Sequence, residues 1–432
     1  MVKSLILFMT MLLWQTGIAQ ETYNGMKVQR EKDGVYLVAD GDKIKVCENS
    51  ITVKLKSMVS VLNDNYKVIR FNKLGYIDLL VPNGIYVEDY FAKLAESGLF
   101  EVITYNVYFN PYISINDPQA SNQYHLSMIY ASNAWNITTG DPDVKVAVLD
   151  FEVDRQHVDI GYGLDTYTNV STSLGWNYSQ NNNNITQPSD HGTMVAGIIG
   201  AKTNNGVGVA GIAGGNNSSG VTLLTYCVGA WPGVELINSE YVDDAIIDAT
   251  DDGAKVINMS FGIPSSFNPM ILFPNVNDAI DYAYNSGVTM VAASGNGANG
   301  PNYNETIDYP AMHPSVISVG SDRYKVKASS SNYGIGLDLV APGVEIYSTK
   351  TSVNYGIGSG TSFASPIVAG VAALLYSVDP GITPAEVKSA LIENADVISG
   401  YPANNDGWNK YVGYGLVNAG AAVSSVNENI SK

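Results

Sequence analysis

The chain has 432 residues, more than one hydrophobic core normally organises, so a large domain with a smaller one beside it is expected. Hydrophobic residues make up 45% and charged residues 15%, which excludes a disordered chain. Lys and Arg number 23 against 41 Asp and Glu, a net charge of −18 that excludes nucleic acid as a natural partner, keeps the chain soluble and allows a preference for cationic peptides.

Residues 1–19 read as a signal peptide. Lys3 supplies the positive start, Leu5 to Trp14 the short apolar core, and Gly17, Ile18 and Ala19 the small-residue cleavage site. That run is too short to cross a bilayer comfortably, and no second candidate follows. The expectation is export to a secreted, periplasmic or cell-surface location, with no membrane span after signal cleavage. The two cysteines, Cys47 and Cys227, are too few for a disulfide framework. Cys227 lies in the apolar run Val221–Val228 and reads as a small core residue.

Residues 20–110 read as a small α+β domain. Ile51–Leu55 alternates like a strand, Tyr76–Val81 is a second strand, Val87–Leu94 has helical spacing, and Phe100–Phe109 returns to a strand pattern. Asn110-Pro111 and Asn116-Asp117-Pro118 punctuate a linker, so residues 111–140 hold the linker and the start of the next domain. From 141 to 425 strands and helices alternate. Continuous apolar runs at Val144–Leu149, Val221–Val228, Lys255–Met259, Val288–Ala292 and Val316–Val319 predict strands buried on both faces. Helical patterns lie near Met194–Gly200, Val242–Thr250 and Val276–Tyr284. The fold class predicted is α/β around a mostly parallel sheet. Thr383-Pro384-Ala385-Glu386, a capping box with proline at the first helical position, marks what reads as the last helix.

Function in such a sheet gathers beyond the carboxyl ends of the strands. Asp150 closes the Val144–Leu149 run, where an Asp also serves simply to end a strand. His191 opens His191-Gly-Thr-Met-Val-Ala-Gly197, whose small residues let a helix start against the sheet and hold an imidazole, the usual general base, at its mouth. Ser362 stands in Gly360-Thr-Ser-Phe-Ala-Ser-Pro366 before a long apolar run. A serine at a helix start gains from the dipole and from N–H groups that suit an oxyanion, although Thr361 or Ser362 also reads as a plain N-cap. Asn296, in Ala293-Ser-Gly-Asn-Gly297, follows a strand and offers a second oxyanion donor, or a turn.

These segments resemble the subtilisin-like serine proteases, the subtilases, whose catalytic residues run Asp, His, Ser in chain order. The resemblance covers roughly residues 112–425 and extends to Ala134-Trp135, Tyr309-Pro-Ala311 with Pro314-Ser-Val-Ile317, and Ala341-Pro-Gly343. It implies a three-layer subtilisin-like domain preceded by a propeptide-like domain, and a secreted serine endopeptidase made as an autoprocessed zymogen. It implies Ser362 as nucleophile, His191 as base, Asp150 as the group orienting the imidazole, and Asn296 with the Ser362 N–H as oxyanion hole. Ser260, Phe261 and Gly262 would pair with an extended peptide or protein substrate. Ala293, Ser294 and Gly295 would wall the main specificity pocket; no acidic residue is evident there, which points to an apolar or aromatic substrate side chain. No cofactor is implied for catalysis. A structural calcium is implied at Asp159, Thr203, Asn205, Val207 and Val209, all offering hard oxygens, though the loop ahead of them is one residue long for the pattern. The N-terminal domain would act as the chain's own intramolecular partner, cleaved between Asn110 and Gln123.

The chain departs from the pattern after Asp150, where Phe151 and Glu152 replace Thr or Ser and then Gly; Val158 also replaces a proline. A second carboxylate near His191 would raise the imidazole pKa and shift activity to alkaline pH or weaken it. The alternative reading is therefore a subtilase-fold binding or regulatory protein. A lipase or esterase is excluded by the lack of Gly-x-Ser-x-Gly around Ser362, and a zinc protease by the spacing of the four histidines.

Overall fold

The computed structural model describes residues 21–23, 26–32, 34–39, 42–56, 66–108, 115–161, 168–171, 173–184, 186–231, 234–297, 305–401 and 403–430. The signal segment 1–19 and Asn110–Pro111 lie outside them. The chain divides into two compact units, Met1–Pro111 and Tyr112–Lys432.

In the first unit, strands β1 (Glu21–Tyr23), β2 (Met26–Glu31), β3 (Gly34–Ala39), β4 (Asp42–Leu55), β5 (Val68–Phe71) and β6 (Tyr76–Leu80) precede helix α1 (Val87–Glu96) and strand β7 (Phe100–Val107). The sheet is antiparallel, in the order β1-β2-β3-β4-β6-β5 with β7 also on β4. β4 runs longer than Ile51–Leu55 because its polar first half pairs with β3. Ile51 and Val53 are buried, as period-two alternation requires, and α1 covers them with Val87, Tyr90 and Leu94. Glu88 and Asp89 in the first turn of α1 and Lys93 in its last complement the helix dipole.

The second unit holds β8 (Lys145–Asp150), α2 (Asp190–Gly200), β9 (Thr222–Cys227), α3 (Val242–Asp251), β10 (Ala254–Met259), α4 (Pro274–Asn285), β11 (Thr289–Ala293), β12 (Val316–Arg323), β13 (Leu339–Pro342), α5 (Thr361–Val378), α6 (Pro384–Glu393) and α7 (Ala419–Ile430). The strands run parallel in the order β13-β12-β11-β10-β8-β9, with Val326–Lys327 antiparallel to β12. β8 explains the layering. Val146 and Val148 face the core built by α2 and α5, while Ala147 and Leu149 face the core built by α3 and α4. Helices thus cover both faces, and the strands read as unbroken apolar runs. α5 is long and apolar enough to cross a bilayer, yet 83% of it is buried in this core.

Two expectations need correction. Thr383 does cap α6 through a complete capping box, but α6 is not the last helix, since α7 follows and runs past residue 425. Cys227 is only partly buried: it ends β9 directly across from Asp150, and burial pushes its thiol up to about 11.

Candidate active site

β8 carries Asp150 to the carboxyl edge of the sheet, where its side chain is 1% exposed. Asp150 Oδ1 accepts the Phe151 N–H at 2.7 Å and meets His191 Nδ1 at 2.7 Å. A buried carboxylate can only accept, so it keeps a proton on Nδ1 and leaves Nε2 as the basic nitrogen. Local sequence holds the ring there. Ser189 caps α2 by accepting the His191 N–H, which starts the helix earlier than the apolar pattern at Met194 suggests. Gly192 lets α2 approach, because a Cβ there would lie 2.4 Å from the Phe151 carbonyl oxygen. The imidazole edge meets the rings of Phe151 at 5.7 Å and Phe363 at 5.4 Å, so the start of α5 stands beside it.

Ser362 lies in the first turn of α5, whose N–H groups lack intrahelical acceptors. Pro366 has no N–H to give the Ser362 carbonyl; the Ser260 hydroxyl donates to it instead, at 2.8 Å. Asn258 orients Ser260 through its amide at 2.9 Å and accepts the Ser365 hydroxyl at 2.7 Å. Asn296 Oδ1 accepts the Thr361 N–H at 2.8 Å and the Thr361 hydroxyl at 3.1 Å. With its oxygen so committed, the amide N–H₂ of Asn296 makes no hydrogen bond among the described residues at the helix start.

Ser260, Phe261 and Gly262 follow β10 and line a cavity of about 420 Å³ together with Asp150, Phe151 and His191. Ala293 ends β11, and Ser294 and Gly295 follow it. Ser294 is fully buried and its hydroxyl donates to the Asn332 carbonyl at 3.2 Å, so this wall presents backbone. The expectation that no acid stands here is corrected by the structure. Asp308 lies against the wall, its N–H donating to the Ser294 carbonyl at 2.9 Å. It comes from a segment well downstream of the Gly295 motif, and no local pattern announces it.

The Thr203–Val209 loop wraps the buried Asp159. Asn205 Nδ2 donates to Asp159 Oδ1 at 3.0 Å and the Val209 N–H to Oδ2 at 2.8 Å, while Asn205 Oδ1 accepts the Val207 N–H and the Thr203 carbonyl accepts the Asn217 N–H. Burial pushes the Asp159 carboxyl up to about 7, against the pull of these donors and of Lys202. Such a carboxylate suits a cation, and every expected ligand atom is oxygen. A half-turn of the Asn205 amide exchanges its N–H for Oδ1, so the set fits calcium in kind, although the described conformation turns it to internal hydrogen bonds. Asn116 and Asp117, read as linker punctuation, grip the same loop by accepting the N–H groups of Gly206, Asn204 and Asn205.

Glu152 has a different job from the one its charge suggested. Its oxygens accept the N–H groups of Thr186 and Gln187 and the Asn177 amide at 3.0 Å, and its carbonyl accepts the Ser189 N–H at 2.7 Å. Burial pushes its carboxyl up, and these donors oppose that rise. Glu152 therefore anchors the 177–189 segment that leads into His191. Of the two residues after Asp150, Phe151 is the one whose ring lies against the imidazole.

A model of the subtilase family matches residues 141–415. The chain is 32% identical over 423 residues to a thermophilic serine proteinase of Bacillus sp. strain AK1, covering 94% of this chain and 92% of that protein. It is 29% identical over 420 residues to a halolysin-like extracellular serine protease of Natrialba magadii, covering 96% of this chain and 71% of that one. A solved protease of Pseudoalteromonas arctica superposes with a TM-score of 0.57 at 28% identity, covering 72% of this chain and 99% of its own.

Proposed function

Since this chain belongs to the subtilase family of serine endopeptidases, we propose that it cleaves peptide bonds with Ser362 as nucleophile, His191 as base and Asp150 as the orienting carboxylate. The Ser362 hydroxyl attacks the scissile carbonyl as its proton passes to His191 Nε2. The oxyanion is held by the Ser362 N–H and the Asn296 amide. Collapse expels the amine, which takes the proton from Nε2, and leaves an acyl-enzyme on Ser362. Water, activated by the same imidazole, then frees the second product. The observation that carries this reading is the 2.7 Å contact between buried Asp150 and His191 Nδ1, beside the residue that follows Ser362.

The finer reading is a secreted zymogen. Secretion is supported by the charge and apolar pattern of residues 1–19 and by an extracellular relative. A propeptide role for residues 20–110, folded as an α+β unit before the peptidase domain at 141–425, is supported by a family relative that matches 94% of the chain. Calcium at Asp159, Asn205 and the carbonyls of Thr203, Val207 and Val209 would supply only charge that holds the loop.

The test is the chain from residue 20 onward, with Ser362→Ala in parallel, assayed on casein with and without EDTA. Casein digestion and self-cleavage between 110 and 123 should both fall by about 10⁶-fold in the variant. Digestion that survives Ser362→Ala would overturn the assignment. A melting temperature unmoved by EDTA would count against the calcium.

A further inference from the structure

Asp308 has no part in the chemistry above, yet it packs against Gly262, which lines the cavity, and against Gly295. Its N–H bonds to the Ser294 carbonyl, and the next residue, Tyr309, exchanges both backbone hydrogen bonds with Ile263, at 2.8 and 2.9 Å. The segment therefore bridges the wall after β10 and the wall after β11. Both walls turn a glycine toward it. A Cβ on Gly295 would lie 2.3 Å from Asp308 Oδ2, and a Cβ on Gly262 would lie 3.1 Å from Asp308 Cβ. Beside these two bare stretches of backbone lies the Asp308 side chain, with the Asn332 amide, which would also be 2.3 Å from a Cβ on Gly295, next to it.

What the carboxylate is tied to decides its use. Asp308 Oδ1 accepts the Asn332 amide at 3.1 Å. Asn332 is itself fixed, its N–H donating to the Gly295 carbonyl at 2.9 Å and its Oδ1 accepting the Gly297 N–H at 2.7 Å. Among the described residues, nothing bonds Asp308 Oδ2 and no cationic side chain pairs with Asp308. Burial pushes its carboxyl up to about 6, the mark of a half-buried charge without a counter-ion. A carboxylate so placed disfavours apolar occupants and gains most from a cation brought by the substrate.

Resting on the serine endopeptidase reading, we propose that Asp308 forms the floor of the specificity pocket between Gly262 and Gly295 and selects a lysine or arginine side chain at the residue whose carbonyl is cleaved. The pocket borders the groove lined by Ser260 to Gly262, so a substrate strand lying there drops its side chain between the two glycines onto Oδ2. The overall charge of −18 favours the approach of the same basic peptides from a distance. Asn332 needs only one oxygen as its acceptor, which Asn at 308 would supply equally; a merely structural role would survive that exchange.

The experiment compares p-nitroanilide peptides Ala-Ala-Pro-Lys and Ala-Ala-Pro-Phe on the chain and on Asp308→Asn. The wild-type chain should favour the lysine peptide, and Asp308→Asn should cut the lysine-to-phenylalanine ratio of kcat/KM by about 100-fold, with the phenylalanine peptide gaining. A wild-type preference for phenylalanine, or a ratio changed by less than about threefold, would overturn the proposal. Binding of fluorescent p-aminobenzamidine, a cation that needs no turnover, reads the pocket separately: it should bind the wild-type chain and be lost in Asp308→Asn. If neither peptide is cut, the endopeptidase reading fails, while the amidine still decides for or against the pocket. Asp308→Glu should retain the lysine preference; its loss there with the fold intact would also overturn the proposal.

Discussion

Asp150 and Asp308 are both carboxyl groups withdrawn from water, and they are held differently. Asp150 ends a strand, is 1% exposed, and spends one oxygen on the Phe151 N–H and the His191 ring. Asp308 sits in a crossing segment, is half-buried, and receives one amide. Glu152 is a third case, its oxygens taken by the 177–187 loop. Three acids thus have three kinds of partner, and the roles proposed for them, to orient a base, to receive a substrate and to pin a loop, follow from that difference. Formal charge alone does not separate them.

Replacing Asp150 should break this contrast most severely. Asp150→Asn keeps shape but presents an amide to Nδ1, favours the wrong tautomer and should lower kcat by about 10⁴-fold with a far smaller change in KM. A kcat loss no larger than that of Asp308→Asn on the phenylalanine peptide would show that the two acids are not distinguished by their partners.

Glu152 gives a smaller, structural effect. Glu152→Ala strands the N–H groups of Thr186 and Gln187 and the Asn177 amide, and should cost about 2–3 kcal/mol of stability, read from urea midpoints in a Ser362→Ala background that prevents self-digestion. Glu152→Gln keeps an acceptor and should cost less. If alanine costs nothing, the anchor role falls.

These acids also show where sequence is legible. Asp150 was findable because a β-branched run buried on both faces ends at it, and α6 because Thr383 and Glu386 are a local device. The α/β class followed from the same alternation of runs. Asp308 was not findable, because its meaning arises where a later segment passes between Gly262 and Gly295, and periodicity reports only on a residue's own element. The direction of Glu152 was hidden for the same reason: its partners lie across a loop. α7 escaped because its small residues, Ala419, Gly420 and Ala422, become a helix face only by packing against Ala131–Trp135. A Cβ on Gly420 would lie 2.8 Å from Asn133 Cβ.

The same contrast between partnered and unpartnered groups holds for histidines. His191 meets Asp150, His157 Nδ1 accepts the Asp159 N–H at 3.1 Å, and His313 Nδ1 accepts the Ser315 N–H at 3.2 Å. His125 is fully buried with neither ring nitrogen hydrogen-bonded among the described residues, and burial pushes it from 6.5 down to about 3. The folded pKa lies below the unfolded one, so as pH falls below 6.5 the unfolded chain takes up a proton that the native chain refuses. Stability from this group is complete above 6.5 and is lost progressively as pH falls toward 3. At pH 5 the loss should be about 2 kcal/mol relative to neutral pH. His125→Phe keeps a ring against Tyr124 but cannot titrate, so in the Ser362→Ala background it should remove about that much of the acid-side loss. Equal losses in both chains would place the acid sensitivity elsewhere. The expected flattening would mean that a buried imidazole with no hydrogen bond among the described residues is a burden the fold carries, whereas the same ring beside Asp150 is placed to serve as the base proposed above.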